Sequence, residues 1–270
     1  MNQPAQEPTW SVIVSSCDAY SDLWPFFFHF FERHWPDAPK PVHLVSNFRR
    51  YNCPWVKTLA VGPDKSWGDT ILAALEQIPD EFVVFLLDDF FLHTPVPAGW
   101  IDSLAAQLDA VKGDFVTLYN PAPVEKPVSG APLLSKIEGR MECPGFHASL
   151  FRRSYLMELA AARQNIWRTE ALMRDHAEAR PGTQFNLAHA SPYRLTYVES
   201  VRGCFWKPNG MQYLKDNGLK PDLWRRPFPP QGEGTWAKVV RSFHKRRMRW
   251  REKAMSGRAE TIEPLQTPAS

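Results

Sequence analysis

The sequence predicts an α/β fold: a mixed, mainly parallel sheet flanked by helices, with a basic helical tail near the C-terminal end. Short β-branched apolar runs alternate with amphipathic helices in the first half of the chain, and this alternation is typical of parallel sheets. Hydrophobic residues make up 44% of the 270 residues, enough for a large core. Residues 238–253 carry eight Lys or Arg and one Glu, which indicates a separate basic segment.

The first predicted strand is Trp10–Ser16, a run rich in β-branched residues. A helix is predicted over Leu23–Trp35, because large aromatic residues recur there at helical spacing. Asp18 lies between the two elements, directly after the strand. Its carboxylate is interpreted either as a contact to a nucleotide base or ribose, or as an N-cap for the helix.

Two further strands are predicted at Pro41–Ser46 and Lys57–Val61, and a helix opens at Ser66 with a capping-box spacing. The central strand is predicted over Glu81–Leu92. In parallel sheets ligands bind beyond the carboxyl ends of the strands. Asp18 and the pair Asp88-Asp89 are therefore expected at one ligand-binding edge.

The second half of the chain is less regular. The predicted elements are a helix over Gly99–Val111, a strand over Asp114–Tyr119, a Pro-rich loop at 120–132, a strand over Phe146–Phe151, a helix over Ser154–Arg163, helical character over Asn165–Ala179 and a strand over Tyr193–Val201.

Asp88-Asp89 interrupt a very apolar run, and two uncompensated buried carboxylates are costly. A divalent cation would neutralise them, and hard cations prefer carboxylate oxygens. The alternative is a pair that caps a turn or meets buried arginines or backbone donors. Because consecutive strand residues point to opposite faces, both aspartates can bind one ion only if the strand ends there or if one acts through water. We expect Asp89, nearer the end of the strand, to make the direct contact.

Glu170 lies near the start of a predicted helix, where the helix dipole favours a carboxylate able to accept a proton. The alternative is a solvated helix face on which Glu170 pairs with Arg168 or Arg174. Arg202 precedes a glycine at a strand end and is interpreted as a diphosphate ligand or as a surface residue at a β-bulge. The histidines are not included in the metal site.

The basic segment at 236–253 also contains aromatic residues on one helical face, a pattern typical of contact with an anionic membrane surface. Nucleic acid and a helix docked on its own domain are the alternatives, and membrane is preferred. The four cysteines form no CxxC pair, and residues 1–8 are polar. These features predict a cytoplasmic protein with reduced thiols, peripheral on the inner face of the cell membrane.

Four stretches carry a resemblance to a known family. They are Ser15–Phe27, Phe85–Leu92, Asn165–Glu170 and Val201–Gly210. Over residues 10–225 the chain resembles GT-A nucleotide-sugar glycosyltransferases, and in particular bacterial glycosyltransferase-like proteins of surface-polysaccharide gene clusters, such as those for lipopolysaccharide or capsule.

The resemblance implies a Rossmann-like domain in which Asp18 contacts the nucleotide. Asp88-Asp89 match the DxD motif that binds a divalent cation, Mn²⁺ or Mg²⁺, and the diphosphate, although here the two residues are adjacent. Glu170 matches the base of inverting members, which deprotonates the acceptor hydroxyl. Arg202 is expected to stabilise the leaving diphosphate, and the loop at 120–132 to close over the donor.

The predicted organisation is a GT-A catalytic domain at 1–225, a Pro/Gly linker at 226–235, a basic amphipathic helix at 236–255 and a disordered tail at 256–270. The predicted function is transfer of a sugar from a nucleotide-diphosphate donor to a hydroxyl of a glycan or lipid-linked acceptor. A nucleotidyltransferase on a similar frame is an alternative that ranks lower, since Ser15–Asp22 has no Gly, Lys or Arg. A non-catalytic membrane or nucleic-acid adaptor is the other.

Overall fold

One eight-stranded sheet forms the centre of the fold in the computed structural model, which describes residues 9–121, 124–230, 238–239, 242–244, 246–247 and 257–265. In spatial order the strands are β4 (Val56–Ala60), β2 (Val42–Ser46), β1 (Trp10–Ser15), β5 (Phe82–Leu87), β9 (Ser149–Arg152), β7 (Phe115–Pro121), β10 (Gln184–Leu187) and β8 (Leu134–Lys136). All run in one direction except β9 and β8. The predicted mixed, mainly parallel sheet is confirmed.

Helices and three short ladders surround this sheet. The helices are α1 (Trp24–His34), α2 (Trp67–Leu75), α3 (Trp100–Ala110), α4 (Arg153–Ala161), α5 (Ile166–Ala179) and α6 (Pro208–Asp216). The ladders pair β11 (Tyr197–Glu199) with β6 (Phe90–Leu92), β12 (Val201–Arg202) with β13 (Phe205–Trp206), and β14 (Thr261–Ile262) with β3 (Arg50–Tyr51).

The central strands are buried on both faces. In β1, Val12 and Val14 belong to the core cluster that contains the apolar residues of α1 and α3. Ile13, between them, belongs to the opposite cluster with residues of α2 and α4. Side chains alternate along a strand, so the two clusters form a layer of helices on each side of the sheet, as the strand–helix alternation predicted.

The predicted central strand is interrupted. Strand β5 ends at Leu87, Asp88 and Asp89 form a turn, and β6 begins at Phe90 and pairs with β11 instead of the main sheet. The expectation of one strand over Glu81–Leu92 is therefore wrong. The two aspartates do not alternate across a strand, so strand geometry does not assign the metal contact to Asp89 alone.

The second half differs most from the prediction. Helix α4 and strand β7 lie close to their predicted positions, whereas the strand expected over Tyr193–Val201 is divided into β11 and β12. Strands β8 and β10 and helix α6 were not predicted. β10 fills the sheet between β7 and β8, and its short, mixed composition (QFNL) gives no clear period.

The end of the chain folds back onto the domain. Strand β14 pairs in parallel with β3, with Thr261 opposite Arg50. The expectation of a disordered tail is therefore wrong for residues 257–265, which gain backbone hydrogen bonds from this pairing. The predicted basic helix falls largely outside the described residues; its described members at 238–239, 242–244 and 246–247 are helical.

Two expectations about the protein's environment can be compared with the structure. No disulfide joins the four cysteines, all of which lie in the described part of the chain. Within the described residues, none of the helices combines the length and the apolar character needed to cross a bilayer.

Helix packing at Gly68 provides a test of the fold. A Cβ at Gly68 in α2 would lie 2.5 Å from the carbonyl oxygen of Ala160 and 2.9 Å from Cα of Arg163, two backbone atoms that cannot rotate away. We expect Gly68→Ala to lower the free energy of unfolding by about 1–3 kcal/mol, despite the better helix propensity of Ala. Gly139 has open space around the same position, so Gly139→Ala is the control. Equal urea midpoints for the two variants would contradict this packing.

Candidate active site

The carboxylate pair lies at the carboxyl edge of β1 and β5. The two strands pair in register, with Ser15 opposite Leu87, so the residues that follow them are neighbours. The hydroxyl of Ser16 donates a short hydrogen bond to the carboxylate of Asp88. Trp24 Nε1 in turn donates to Ser16 Oγ at 2.7 Å. The predicted juxtaposition of the first and central strands therefore positions the turn that carries Asp88 and Asp89.

Both carboxyl groups have raised pKa values. Burial, together with the charge of Asp89, raises the pKa of Asp88 well above its usual range, and the Ser16 hydrogen bond offsets only part of this. Burial raises the pKa of Asp89 to about 7; Glu199 adds to the shift, and Arg226 and Lys207 oppose it. Their charged forms are therefore disfavoured as long as no further positive charge is present.

The donor set at this turn fits a hard divalent cation. Carboxylate oxygens are the ligands that Mg²⁺ and Mn²⁺ prefer, and a cation would relieve the unfavourable charge at Asp88 and Asp89. Among the described residues, no group of three or more His, Cys, Asp or Glu side chains could hold a metal ion. The remaining ligands would have to be water or substrate oxygens, which is common for Mg²⁺ sites.

Asp18 organises the loop after β2. Its carboxylate accepts hydrogen bonds from the backbone amides of Asn47, Phe48 and Arg49, each at 3.1 Å. The backbone amide of Asp18 donates to Asn47 Oδ1 at 3.1 Å. The N-cap of α1 is Leu23, without a side-chain cap, so the N-cap interpretation of Asp18 is wrong. The nucleotide contact stays a prediction.

Arg226 was not predicted and has the most buried charge at this edge, with no exposed surface. Its guanidinium donates to both carboxylate oxygens of Asp22, at 3.0 and 3.1 Å. It also donates to the carbonyl oxygens of Gly203 at 2.9 Å and Ala19 at 3.2 Å. The expectation of a linker beginning at residue 226 is therefore wrong for Arg226, because these four acceptors hold it inside the domain.

Two further arginines surround Ser21, beside Asp22. Arg225 donates to Ser21 Oγ at 2.7 Å, and Arg49 donates to the same oxygen. Arg49 also pairs with Glu260, just before β14, at 2.8 Å. No sequence period marks these residues, because they come from the loop after β2, from a Pro-rich segment and from the end of the chain. Only the fold brings them together.

Arg202 lies at the turn between β12 and β13, beside this cluster. Tyr20 Oη donates to the carbonyl oxygen of the next residue, Gly203, at 3.0 Å. The backbone of the turn is thus fixed against the turn that follows β1. The Arg202 side chain is exposed, and it forms no hydrogen bond or ion pair with any described residue. Exposure fits both interpretations of Arg202, so the diphosphate contact stays a prediction.

Glu170 lies in the first half of α5, apart from the carboxylate pair. It forms an ion pair with Arg174 at 2.6 Å, one turn further along the helix, which is the pairing of the alternative interpretation. The Glu170 carboxylate packs against Gly145. A Cβ atom added to Gly145 would lie only 2.6–2.8 Å from the carboxylate atoms of Glu170. Gly145 has φ +96°, a conformation that favours glycine. The sequence pattern gave no indication of this contact.

His147 connects the region of Glu170 with that of Asp89. Burial lowers the pKa of His147, and the charges of Glu170 and Glu199 oppose this. His147 Nδ1 lies 3.1 Å from Tyr197 Oη. The Tyr197 ring stacks on Phe90, the residue after Asp89, with 4.3 Å between centroids. The charge of Glu170 thus acts on His147, which reaches the residue after Asp89 through Tyr197.

The comparisons with known proteins give structural similarity only. No protein-family model and no curated protein matches the chain. The fold is similar to S. aureus TarS, with 15% identity and a TM-score of 0.44 over 70% of this chain and 36% of TarS. TarS 1–349 in complex with UDP-GlcNAc has 16% identity and a TM-score of 0.39 over 70% of this chain and 57% of that one. UDP-glucose pyrophosphorylase complexed with UDP-glucose has 7% identity and a TM-score of 0.43 over 67% and 91%.

The chain thus spans about a third of the length of TarS. At these identities the likeness concerns the fold alone.

The buried ion pair at Arg226 is testable by stability. Replacing Arg226 by Met leaves Asp22 without its main partner, and we expect the free energy of unfolding to fall by about 3–5 kcal/mol. Arg202→Met removes an exposed arginine and should change it by about 0.5 kcal/mol or less. In urea unfolding, the double variant Asp22→Asn/Arg226→Met should lose less than the sum of the two single variants. Equal stability of Arg226→Met and Arg202→Met would contradict the pairing.

The raised pKa of Asp89 predicts a pH dependence of stability in metal-free buffer. An unfolded Asp titrates near pH 4, at about 3.9, whereas the folded pKa is about 7. The protonated carboxyl therefore stabilises the fold fully below about pH 4, and this contribution is lost as the pH rises through about 7. Asn cannot ionise, so its stability does not depend on this titration. As the pH rises from 5 to 8, the free energy of unfolding of Asp89→Asn should therefore increase relative to that of the wild type by on the order of 2 kcal/mol.

The matched control is Asp37→Asn, which makes the same substitution at an exposed position. If the free energies of unfolding of Asp89→Asn and the wild type changed with pH in parallel, the pKa of Asp89 would not be raised in the folded protein.

Proposed function

We propose that the chain is a glycosyltransferase that moves a sugar from a nucleotide-diphosphate donor to a hydroxyl of a glycan or lipid-linked acceptor. The observation that carries this proposal is the carboxylate pair at the carboxyl edge of the parallel strands, in which Asp88 is buried and Asp89 is half-buried. Carboxylates there need a cation, and a cation there needs an anion such as a diphosphate. The exposed Arg202 on the neighbouring turn supports this assignment.

Each residue has a proposed role. Asp88 and Asp89 would hold a divalent cation, which neutralises charge on a bound diphosphate. Arg202 binds the diphosphate oxygens and stabilises the charge that develops as they leave. Asp18 binds the nucleotide, and its bonds to the loop at residues 47–49 fix its position. Glu170 accepts the proton of the acceptor hydroxyl, and Arg174 orients its carboxylate.

His147 is a second candidate for the proton acceptor. Burial lowers its pKa, so its imidazole is neutral near pH 7 and has a lone pair to accept a proton. It is also linked through Tyr197 to Phe90, the residue that follows Asp89. Substituting each residue in turn distinguishes the two candidates, because removal of the true base lowers acceptor-dependent turnover more.

One observation favours a nucleotidyltransferase as the second candidate function. The turn after β1 has no basic residue in the sequence, but the fold brings Arg49 and Arg225 onto Ser21 in that turn. Such arginines could bind a triphosphate. Release of pyrophosphate from a nucleoside triphosphate and a sugar 1-phosphate would support this function, and its absence with active nucleotide-sugar turnover would exclude it.

The location is part of the proposal. The basic segment at 236–253 supports a position at the inner face of the cell membrane, in the cytoplasm, where nucleotide sugars are soluble and lipid-linked acceptors are accessible. Lys238, Arg246 and Arg247 are its described basic residues.

Donor turnover tests the assignment. UDP-GlcNAc is a suitable first donor, since TarS 1–349 was solved with it. We expect Asp89→Asn to lower Mn²⁺-dependent UDP release by about 100-fold or more, because it removes a charged ligand. Glu170→Gln should lower acceptor-dependent turnover by about 100-fold or more while nucleotide binding persists.

The matched control is Glu178→Gln, since Glu178 is an exposed residue on the same helix. Failure of the wild type to bind any nucleotide sugar, with or without Mn²⁺, would contradict the proposed function. A non-catalytic adaptor would be indifferent to Asp89→Asn.

A further inference from the structure

Exposed apolar side chains are concentrated in one short part of the described chain. The large hydrophobic residues that are exposed are Val124, Met141, Trp167, Leu223, Trp224, Phe228, Val239 and Phe243. Five of these eight lie between residues 223 and 243. Trp224 is 80% exposed, although Trp is usually covered in a folded domain. Clustered exposed apolar residues mark interaction sites, whereas single ones need no explanation.

An apolar groove lies in the same region. It has a volume of about 560 Å³ and begins on α6. Its apolar lining includes Met211, Leu219, Leu223 and Phe228, and Lys215 and Lys220 also line it. Both lysines are exposed. The groove therefore combines an apolar floor with positive charges that reach the solvent.

The acidic residues nearby have partners within the chain. Asp216 accepts a hydrogen bond from Gln212 Nε2 at 2.6 Å. Asp222 accepts the backbone amides of Trp224 and Arg225, at 2.8 and 3.3 Å. Neither lysine of the groove forms an ion pair with these carboxylates in the described part of the chain. The lysines thus remain available for an external anion.

The described part of the basic segment lies next to the same region. The His244 ring is 5.9 Å from the ring of Phe205, in β13, and α6 begins two residues after that strand. Val239 and Phe243 are 53% and 61% exposed. Lys238 and Arg246 are exposed as well. Apolar and basic residues are therefore mixed on both the folded domain and the segment that follows it.

We infer that the surface formed by the α6 groove, Trp224 and Phe228 docks on an anionic lipid bilayer. Trp and Phe side chains enter the region between headgroups and acyl chains, while lysines meet the phosphates, which is how basic amphipathic surfaces bind membranes. Charge complementarity favours the bilayer over a protein partner, since Lys215 and Lys220 lie beside the apolar residues of the groove. The contact is built into the folded domain and adds to that expected from the basic segment.

If the proposed function holds, this docking surface also indicates where the acceptor is located. Helix α6 starts just after Lys207, whose ammonium group pairs with Glu199 and influences the charge of Asp89. The groove is lined by α6 from its first residue, Pro208, onwards. A docked protein would thus hold the carboxylate pair near the headgroups, which suits an acceptor sugar carried on a membrane lipid.

Vesicle co-sedimentation of the full chain tests the inference. The vesicles contain phosphatidylcholine with 25% phosphatidylglycerol, and pure phosphatidylcholine vesicles serve as the neutral comparison. We expect the wild type to bind the anionic vesicles and Trp224→Ser/Phe228→Ser to bind them at least about 10-fold less, because two large apolar groups are lost. Lys215→Glu/Lys220→Glu should weaken binding about 10-fold or more, and only on anionic vesicles.

Trp167→Ser is the matched control, since Trp167 is 77% exposed on α5, outside the docking surface; it should bind as the wild type does. Far-ultraviolet circular dichroism and UDP binding check that each variant is folded. No binding of the wild type to anionic vesicles would overturn the inference. So would unchanged binding of both double variants when Arg246→Glu/Arg247→Glu abolishes it. Binding needs no donor turnover, so an inactive but vesicle-bound protein would contradict the proposed function alone.

Discussion

The guanidinium of Arg226 is fully buried and must therefore find all of its hydrogen-bond partners within the protein. The acceptors come from Asp22 and Ala19 near the start of the chain and from Gly203 between β12 and β13. One side chain thus fixes two separate turns against each other. The backbone around Asp18 and Arg202 depends on this bond network, because both residues lie next to the carbonyl groups that Arg226 binds.

The charges at this edge of the sheet are arranged unevenly. The arginines are paired with Asp22 and Glu260. In contrast, the buried Asp88 and the half-buried Asp89 have only a serine and distant cations to balance them. The ion pairs stabilise the folded structure, whereas the unbalanced carboxylates are unfavourable when no cation is bound to them. A ligand that brings positive charge to the aspartates gains binding energy from this imbalance.

The sequence pattern predicted the strands and helices that build the sheet edge, because β1, β5 and α1 have long apolar runs or a clear helical period. It also selected Asp18 and Asp88-Asp89 as candidate residues at one edge of the sheet, since polar residues at the ends of such strands are conspicuous. It could not predict Arg226 or Arg49, because their partners are distant in sequence and a charged residue in a Pro-rich segment is usually solvated. Helix α6 was missed for a related reason: Pro208 and Gly210 lie in its first turn, and such residues usually indicate a loop.

The pairing of Arg226 with Asp22 spans 204 residues of sequence, and β14 reaches β3 from still further along the chain. During synthesis the ribosome releases the first strands long before the arginines that secure their ends. The contacts that fix the turns beside Asp18 and Arg202 therefore cannot form until Arg226 has emerged. A product that ended before Arg226 would have β1 and β5 but would lack the bonds that hold the turns at their edge.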